Sequence, residues 1–359
     1  MQERRGRAAP SIPSFVVSRS SKNTYTPAWW VPGAHLQTLW GKLARRAPRV
    51  ATRVERWTTP DDDRLEIRRL DAPATAGPEV PRLLILHGLE GTIRSHYILG
   101  LLDQARQRGW AADVLIFRGC NGELPRAPRF YHSGETSDLD FVIGRLARDH
   151  PTQALLIAGV SLGGNVLLKW LGECGEELPV QVRAAAAISV PFDLEQGSRQ
   201  IERGFSRLYT IHFLRTLRRK ALAKLAQSPG LFAEGPVRKA RTLTEFDDAV
   251  TAPVHGFESA SDYYTRSSAL QFLEAIRCPT LLISAYDDPF LPRYVLHAAA
   301  EVAQNNHFIS VEFHERGGHA GFVAGRVPWR PVYHAEERVV AFLDTVFADE
   351  SGLNSMRLP

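Results

Sequence analysis

The stretch ALLIAGVSLGGNVLLKWL, Ala154 to Leu171, governs how the whole chain reads. Ala154 to Val160 is an apolar run of strand length, and Val166, Leu167, Leu168 and Leu171 then recur at the spacing of one helix face. Between them Ser161 sits in G-V-S-L-G, with Gly159 two residues before it and Gly163 two after. A side chain at either glycine would crowd a sharp turn or the close packing of strand on helix. The spacing therefore predicts a strand, a tight turn and a helix, with the Ser161 hydroxyl held exposed. The turn also opens the helix at Leu162, whose amide then points where a carbonyl oxygen would become an oxyanion. Ser161 is the candidate nucleophile. A G-x-S-x-G string arises by chance in roughly one chain in ten of this length, so its surroundings must carry the argument.

On the amino-terminal side, RLLILHGLEG (Arg82 to Gly91) reads as a short buried strand that stops at His87-Gly88. Ending on the same sheet edge as Ser161, it offers a second oxyanion donor, the amide of Leu89 or Glu90, while His87 reads as structural. A helix pattern from His96 to Arg108, the strand ADVLIF and the long loop RGCNGELPRAPRFYHSGET follow, and His132 and Glu135 in that loop read as turn stabilisers, with a functional role at the pocket border as the alternative. Leu139, Val142, Ile143 and Leu146 mark another helix, and Val182 to Val190 a further strand. The alternation predicts an α/β fold: a mostly parallel central sheet with helices on both faces and a ligand crevice at the carboxyl ends of the strands. Val54 to Trp57 and Leu65 to Leu70 flank TTPDDD as an antiparallel hairpin, and TPAWWVPGAHLQTLWGKL reads as an aromatic segment packed across the core, with contact to an acyl chain as the alternative.

From Pro191 to about Gly256 the pattern changes to basic helices, which predicts an inserted helical cap at about 192–256. Phe205, Leu208, Phe213, Leu214, Leu217, Leu222 and Leu225 are expected to form its packed face, with Arg203, Arg207, Arg215, Arg218, Arg219, Lys220 and Lys224 elsewhere. A solvated basic face is the simpler reading and a face that settles on anionic lipid the sharper one. Asp247 and Asp248 read as capping or salt-bridging carboxylates.

Beyond the cap, CPTLLISAYDDPFLP sets a strand, Thr280 to Ala285, before Asp287 and Asp288. HFISVEFHE sets another before His319 in ERGGHAGFV, and Val332 to Phe347 reads as an amphipathic helix. A serine hydroxyl is a good nucleophile only when an imidazole takes its proton and a carboxylate holds that imidazole in the right tautomer. Ser161, then Asp287 or Asp288, then His319 supplies the three groups in the chain order of elbow-type hydrolases, each after its own strand.

These residues resemble the α/β-hydrolase superfamily, and within it the YheT-like group related to the mammalian ABHD1, ABHD2 and ABHD3 proteins. The resemblance runs through PAWWVPGAHLQTLW, HGLEG, SHYILGLL, FRGCNGE, YHSGETSDL, GVSLGGNVLLKWLGE, EFDDAVTAPVHGF, DYYTRSS, DDPFLP and GGHAGF, nearly the whole chain. It implies the α/β-hydrolase fold and a serine esterase with Ser161 as nucleophile, His319 as base and an aspartate of DDPF as third member. Asp288 matches the usual spacing, three residues after Ala285 and four before Pro292, with Asp287 as the fallback. The implied reaction is acyl transfer to water through a Ser161 ester, with the Leu162 and Leu89 amides contributing roughly 3 kcal/mol per oxyanion donor. It calls for neither a metal nor an organic cofactor. Short-chain esters or monoacylglycerol-like lipids are the expected substrates. A membrane-associated phospholipase or acyltransferase is the rival enzyme, and a non-catalytic binding protein on the same fold the remaining alternative.

Composition sets the outer bounds. The 359 residues are 44% hydrophobic and 23% charged, as in a globular protein with a large core. The net charge of +5 and pI near 9.2 are a mild basic excess without the aromatic-interleaved basic tract of a nucleic-acid binder. Cys120, Cys174 and Cys278 are unclustered, which points to a reducing compartment and no zinc site. No signal-peptide pattern and no run of about 18 apolar residues appears, so a cytoplasmic protein is expected. The expected organisation is a flexible lead at 1–22, a single domain at 23–350 and a flexible tail at 351–359.

Overall fold

The main sheet of the described residues has eight strands: β1 (Arg53–Thr58), β2 (Arg64–Leu70), β3 (Arg82–Leu86), β4 (Ala111–Ile116), β5 (Leu155–Val160), β6 (Val182–Ile188), β7 (Thr280–Ala285) and β8 (Ile309–His314). The structure, a computed structural model, describes residues 25–355 other than Pro78, so the expected lead at 1–22 lies outside the described residues. The strand order is β1-β2-β4-β3-β5-β6-β7-β8. β1 pairs antiparallel with β2 and β2 with β4, while β3 to β8 are all parallel. β3, β4, β5 and β7 are buried along their whole length, which is why they read as continuous apolar runs and not as alternating ones.

Helices α1 (Ala34–Leu43), α2 (His96–Gln107), α3 (Ser137–Asp149) and α4 (Leu162–Cys174) precede β6. Between β6 and β7 come α5 (Leu194–Ile201), α6 (Arg207–Gln227), α7 (Glu234–Lys239), α8 (Leu243–Phe246), α9 (Ala252–His255) and α10 (Ala260–Ser267). After β7 follow α11 (Arg293–Gln304) and α12 (His334–Ser355). α2 packs on α12 and α3 on α4, so the sheet is covered on both faces. The inserted helices keep a small core of their own, with Leu214, Ala221, Val237, Phe246 and Val250 buried together. Thr242 and Glu245 close a capping box at the start of α8, and Asp193 caps α5 by accepting the Gln196 amide at 3.0 Å. None of the described helices is long and apolar enough to cross a membrane.

Buried charge fixes the loops around the sheet. The Arg118 guanidinium, fully buried just past β4, donates to Asp63 and to both oxygens of Asp138 at 2.7 Å, and to Asp61 at 3.0 Å. That network ties the long loop after β4 to the β1–β2 turn and to α3. Each ion in it is compensated, as burial requires.

The structure departs from expectation in three places. The aromatic segment does not pack across the main core: Trp30 and Trp40 meet edge-on at 4.9 Å in a satellite cluster with Ala28, Val31 and Val323, and Trp29 is 76% exposed. The indole N–H groups decide this, since Trp29 and Trp30 each donate at 3.0 Å to a surface-loop carbonyl, that of Arg326 and of Gly325. On α6, Leu214 and Leu217 pack inward as expected, but Leu208 and, in the turn just before the helix, Phe205 are exposed, because this end of the insert extends beyond its small core. Lys224 and Lys220 turn inward instead, their long stems covering apolar surface while Lys224 donates to the Pro125 carbonyl at 2.6 Å and Lys220 to Glu90 at 2.7 Å. Finally, Val332–Tyr333 form a two-residue strand, β10, antiparallel to β9 (Val323–Ala324), so the last helix starts at His334. It runs to Ser355, which makes residues 351–355 of the expected tail helical.

Candidate active site

Ser161 stands between β5 and α4 with φ 55° and ψ −121°, a left-handed conformation that costs a non-glycine residue about 1–3 kcal/mol. The strain is held from both sides: the Ser161 amide donates to the Ile188 carbonyl of β6 at 2.8 Å, and α4 starts at the next residue. A Cβ on Gly159 would lie 2.5 Å from the Gly163 carbonyl oxygen, and one on Gly163 2.6 Å from the oxygens of Leu86 and His87. Both glycines are therefore demanded by the closeness of β5, α4 and the end of β3.

β7 and β8 deliver the other two groups. His319 Nε2 lies 2.9 Å from Ser161 Oγ, and His319 Nδ1 lies 2.8 Å from Asp288 Oδ2. Asp288 is 3% exposed, and its other oxygen accepts the Phe290 amide at 2.8 Å. Asp287 faces away from the imidazole: its Oδ1 accepts the Gly317 and Gly318 amides, each at 2.9 Å, so it shapes the loop that carries His319. Burial raises its carboxyl pKa above the ordinary value. Thr38 of α1 receives the His319 amide on its hydroxyl at 2.9 Å, and the Phe290 ring lies 4.2 Å from the imidazole.

The end of β3 lies against the serine, as a Cβ on Gly88 would sit 3.2 Å from Ser161 Cβ. Of the two amides that follow, that of Glu90 already donates to the Tyr131 hydroxyl at 2.8 Å. The Leu89 amide has no such partner among the described residues, and the Leu162 amide, in the first turn of α4, has none within its own helix. Glu90 is itself left-handed at φ 54°, and its carboxylate accepts Tyr131 Oη at 3.0 Å and Lys220 Nζ of α6 at 2.7 Å. Sequence reasoning missed this tie: the spacing of Lys220 on α6 was available, but its distant partner was not. His87 is structural in its contacts, with Nε2 accepting the Phe117 amide at 3.1 Å and Nδ1 donating to the Gly88 carbonyl at 2.8 Å. Burial lowers its pKa to about 4, so it stays neutral.

Ser161, His319, Leu89 and Leu162 all face a cavity of about 590 Å³ between the sheet edge and the inserted helices. Ile201, Phe213, Leu217, Phe246, Val250 and Phe290 supply apolar wall. A volume of this size encloses a small organic molecule.

A profile of the alpha/beta hydrolase fold matches residues 81–323, more than half of the chain. The protein YheT of Escherichia coli K12, whose name marks it as a candidate esterase, is 37% identical over 334 residues, covering 92% of this chain and 96% of its own. The chain is a YheT-like α/β-hydrolase. Mouse phospholipase ABHD3 is 31% identical over 86% of this chain and 76% of its own, and a monoacylglycerol lipase of Saccharomyces cerevisiae is 29% identical over 68% and 56%. Among solved structures, an esterase of Pyrococcus furiosus superposes with a TM-score of 0.53 at 14% identity over 83% of this chain and 92% of its own, a likeness of fold.

Among the described residues of this α/β-hydrolase, two clusters have side chains close enough to share a metal ion, and neither suits one. His132, Glu135 and His255 come together beside the cavity, but His132 Nδ1 accepts the Gly134 amide at 3.1 Å, which fixes the ring proton on Nε2 and removes that lone pair. Glu135 is engaged with Arg129 and with the Ser137 amide, each at 2.8 Å, as a turn stabiliser. Glu312, His314 and His334 form the second group, where the Arg338 guanidinium grips both Glu312 oxygens at 2.9 and 3.0 Å and brings a positive charge to the place a cation would take. Asp247 and Asp248 make no ion pair among the described residues. Asp247 accepts Thr251 Oγ1 at 2.5 Å and Tyr264 Oη at 2.7 Å, and Asp248 accepts the Ala260 amide at 2.6 Å.

Proposed function

We propose that this α/β-hydrolase is a carboxylic-ester hydrolase that works through a covalent ester on Ser161. The observation that carries the reading is the hydrogen-bonded chain Ser161–His319–Asp288, at 2.9 and 2.8 Å, opening on an apolar-walled cavity. His319 Nε2 takes the Ser161 proton as Oγ attacks the carbonyl carbon, and Asp288 keeps the Nδ1 proton in place and steadies the imidazolium. The amides of Leu162 and Leu89 stabilise the oxyanion. The tetrahedral intermediate collapses as His319 protonates the leaving alcohol. A water molecule, deprotonated by the same nitrogen, then releases the acid and restores Ser161.

Short-chain esters or monoacylglycerol-like lipids are the substrates this reading favours, since the cavity has room for an acyl chain and apolar side chains to receive it. A phospholipid as the ester is the second reading, and its support is the similarity to mouse phospholipase ABHD3. A p-nitrophenyl ester series of rising chain length tests the first, comparing the wild type with Ser161→Ala and His319→Ala. Turnover that falls by at least about four orders of magnitude in both variants is expected. Folded wild type with no more turnover than the variants on any of these esters would remove the short-chain esterase reading; phospholipid hydrolysis is then the next assay, and a binding role remains only if that too fails.

A further inference from the structure

Five large apolar side chains are gathered outside the cavity, on α1 and on the start of α6 with the turn that precedes it. Leu36 and Leu43 of α1, seven residues apart and so on one helix face, are 50% and 75% exposed. Phe205 just before α6, and Leu208 and Ile211 within it, are 53%, 54% and 55% exposed. The segments lie side by side at both ends: the His35 ring is 4.6 Å from that of Phe205, His35 Nδ1 is 3.2 Å from Tyr209 Oη, and Lys42 Nζ is 3.4 Å from His212 Nε2. Exposed apolar residues are ordinary when scattered, but a group spanning two packed segments forms a patch.

Charge says what the patch meets. Lys42, Arg46, Arg203, Arg207, Arg215 and Arg219 are exposed on or beside these segments and make no ion-pair contact among the described residues, Glu202 being only a more distant neighbour of Arg207. By contrast, Arg199 and Arg238 in the same insert each hold a glutamate one turn away. Arg215 lies seven residues after Leu208 and four after Ile211, and Arg219 four beyond that, so the arginines continue the apolar face along α6. A second copy docked about a two-fold axis would set these cations against one another. A bilayer surface with anionic headgroups meets both halves of the face, phosphates on the arginines and acyl chains under the apolar residues.

We propose that the outer faces of α1 and the start of α6 form one surface that docks on an anionic lipid bilayer. The inner sides of the same helices wall the cavity, with Thr38 and Leu39 from α1 and Tyr209 and Phe213 from α6, and the exposed pair Lys42 and His212 marks the seam at its rim. Docking sets the seam between the helices against the headgroups with the cavity behind it, so an acyl ester passes to Ser161 with little travel through water. The use of the surface rests on the ester-hydrolase reading; the docking itself does not.

Vesicle flotation of the Ser161→Ala protein reads docking without turnover, with equal parts phosphatidylcholine and phosphatidylglycerol against phosphatidylcholine alone. Binding to the mixed vesicles that weakens with added salt is expected. Leu36→Ser/Leu208→Ser/Ile211→Ser should reduce partitioning about tenfold or more, and Arg215→Gln/Arg219→Gln by about twentyfold at low salt. Both sets, placed in the active chain, should leave hydrolysis of a water-soluble p-nitrophenyl ester unchanged, which also shows that they fold. Failure to bind anionic vesicles, or binding that neither set alters, overturns the proposal. So does a concentration-dependent dimer that the serine variant dissolves. Vesicle binding with the stated dependence in a protein that hydrolyses no ester upholds the surface and removes only the esterase reading.

Discussion

Replacing Asp288 by asparagine exchanges one oxygen for an amino group at nearly constant shape, and the structure sets which way the new side chain faces. Oδ1 of Asp288 accepts the Phe290 amide at 2.8 Å, so the asparagine keeps its carbonyl oxygen there and turns its amino group toward His319 Nδ1. That group donates where the carboxylate accepted. The ring proton moves to Nε2, the nitrogen 2.9 Å from Ser161 Oγ, and the imidazole can no longer receive the serine proton. A loss of about 10⁴ in kcat is expected, or about 5.5 kcal/mol of transition-state stabilisation. Asp287→Asn is the control one residue away, because its oxygen still accepts the Gly317 and Gly318 amides and never touched the imidazole. It should cost less than about tenfold, as loss of one hydrogen-bonded charge in a supporting loop. Initial rates on a soluble p-nitrophenyl ester, with circular dichroism to establish folding, separate the two. An Asp288→Asn enzyme within tenfold of wild type beside a crippled Asp287→Asn enzyme would refute the assignment.

Two more substitutions probe the cavity walls. Lys220→Met removes the ammonium 2.7 Å from Glu90, the strained residue that follows Leu89, and should lower kcat about tenfold with a smaller change in KM, while Lys220→Arg restores most of it; unchanged kcat in the methionine variant would show that the tie does not act on the oxyanion site. Burial raises the Asp247 carboxyl from 3.8 to about 6, so the folded state holds that proton more tightly than the unfolded one. The resulting stabilisation is full below about pH 4, is lost as pH rises through about 6, and amounts to roughly 3 kcal/mol. Asp247→Asn should flatten that part of the stability profile in urea unfolding between pH 4 and 8, and an unaltered slope would count against the titration.

How much could be read in advance depended on whether a residue's partner is near it in sequence. The turn at Ser161 was legible because strand, glycines and helix are contiguous, and the sheet because its central parallel strands, β5 above all, are mainly apolar and buried. The hairpin of β1 and β2 was legible for the same reason, as TTPDDD joins its halves. Asp287 and Asp288 could not be separated by local chemistry, since neighbouring carboxylates differ only in where the β7 turn aims them. Glu90 could not be set aside in favour of Leu89, because the hydroxyl that occupies its amide belongs to Tyr131, in a loop with no periodicity. The tryptophans misled for a related reason: apolar size predicts burial, but the acceptors for the Trp29 and Trp30 indoles lie almost three hundred residues downstream, at the surface.

The basic insert shows why the charge of a helix is not one property. At 100° per residue, Lys220 and Lys224 lie on one side of α6 and Arg215 and Arg219 on another, so periodicity alone divides the cations into two sets. Which set faces inward is decided by the apolar residues beside it: Leu214, Leu217 and Ala221 carry their stripe of α6 onto the insert's core, and Lys224 continues it. Lys224 then meets the Pro125 carbonyl and Lys220 the Glu90 carboxylate, so the inner cations fasten the insert to the loop after β4 and to the turn after β3. Both of those segments border the cavity, whereas Arg215 and Arg219 touch neither. Substitutions along one helix should therefore fall into two classes. Those on the inner side change turnover of a soluble ester in any solvent, and those on the outer side change only what happens at a lipid surface. A helix whose charges served solubility alone would show neither class.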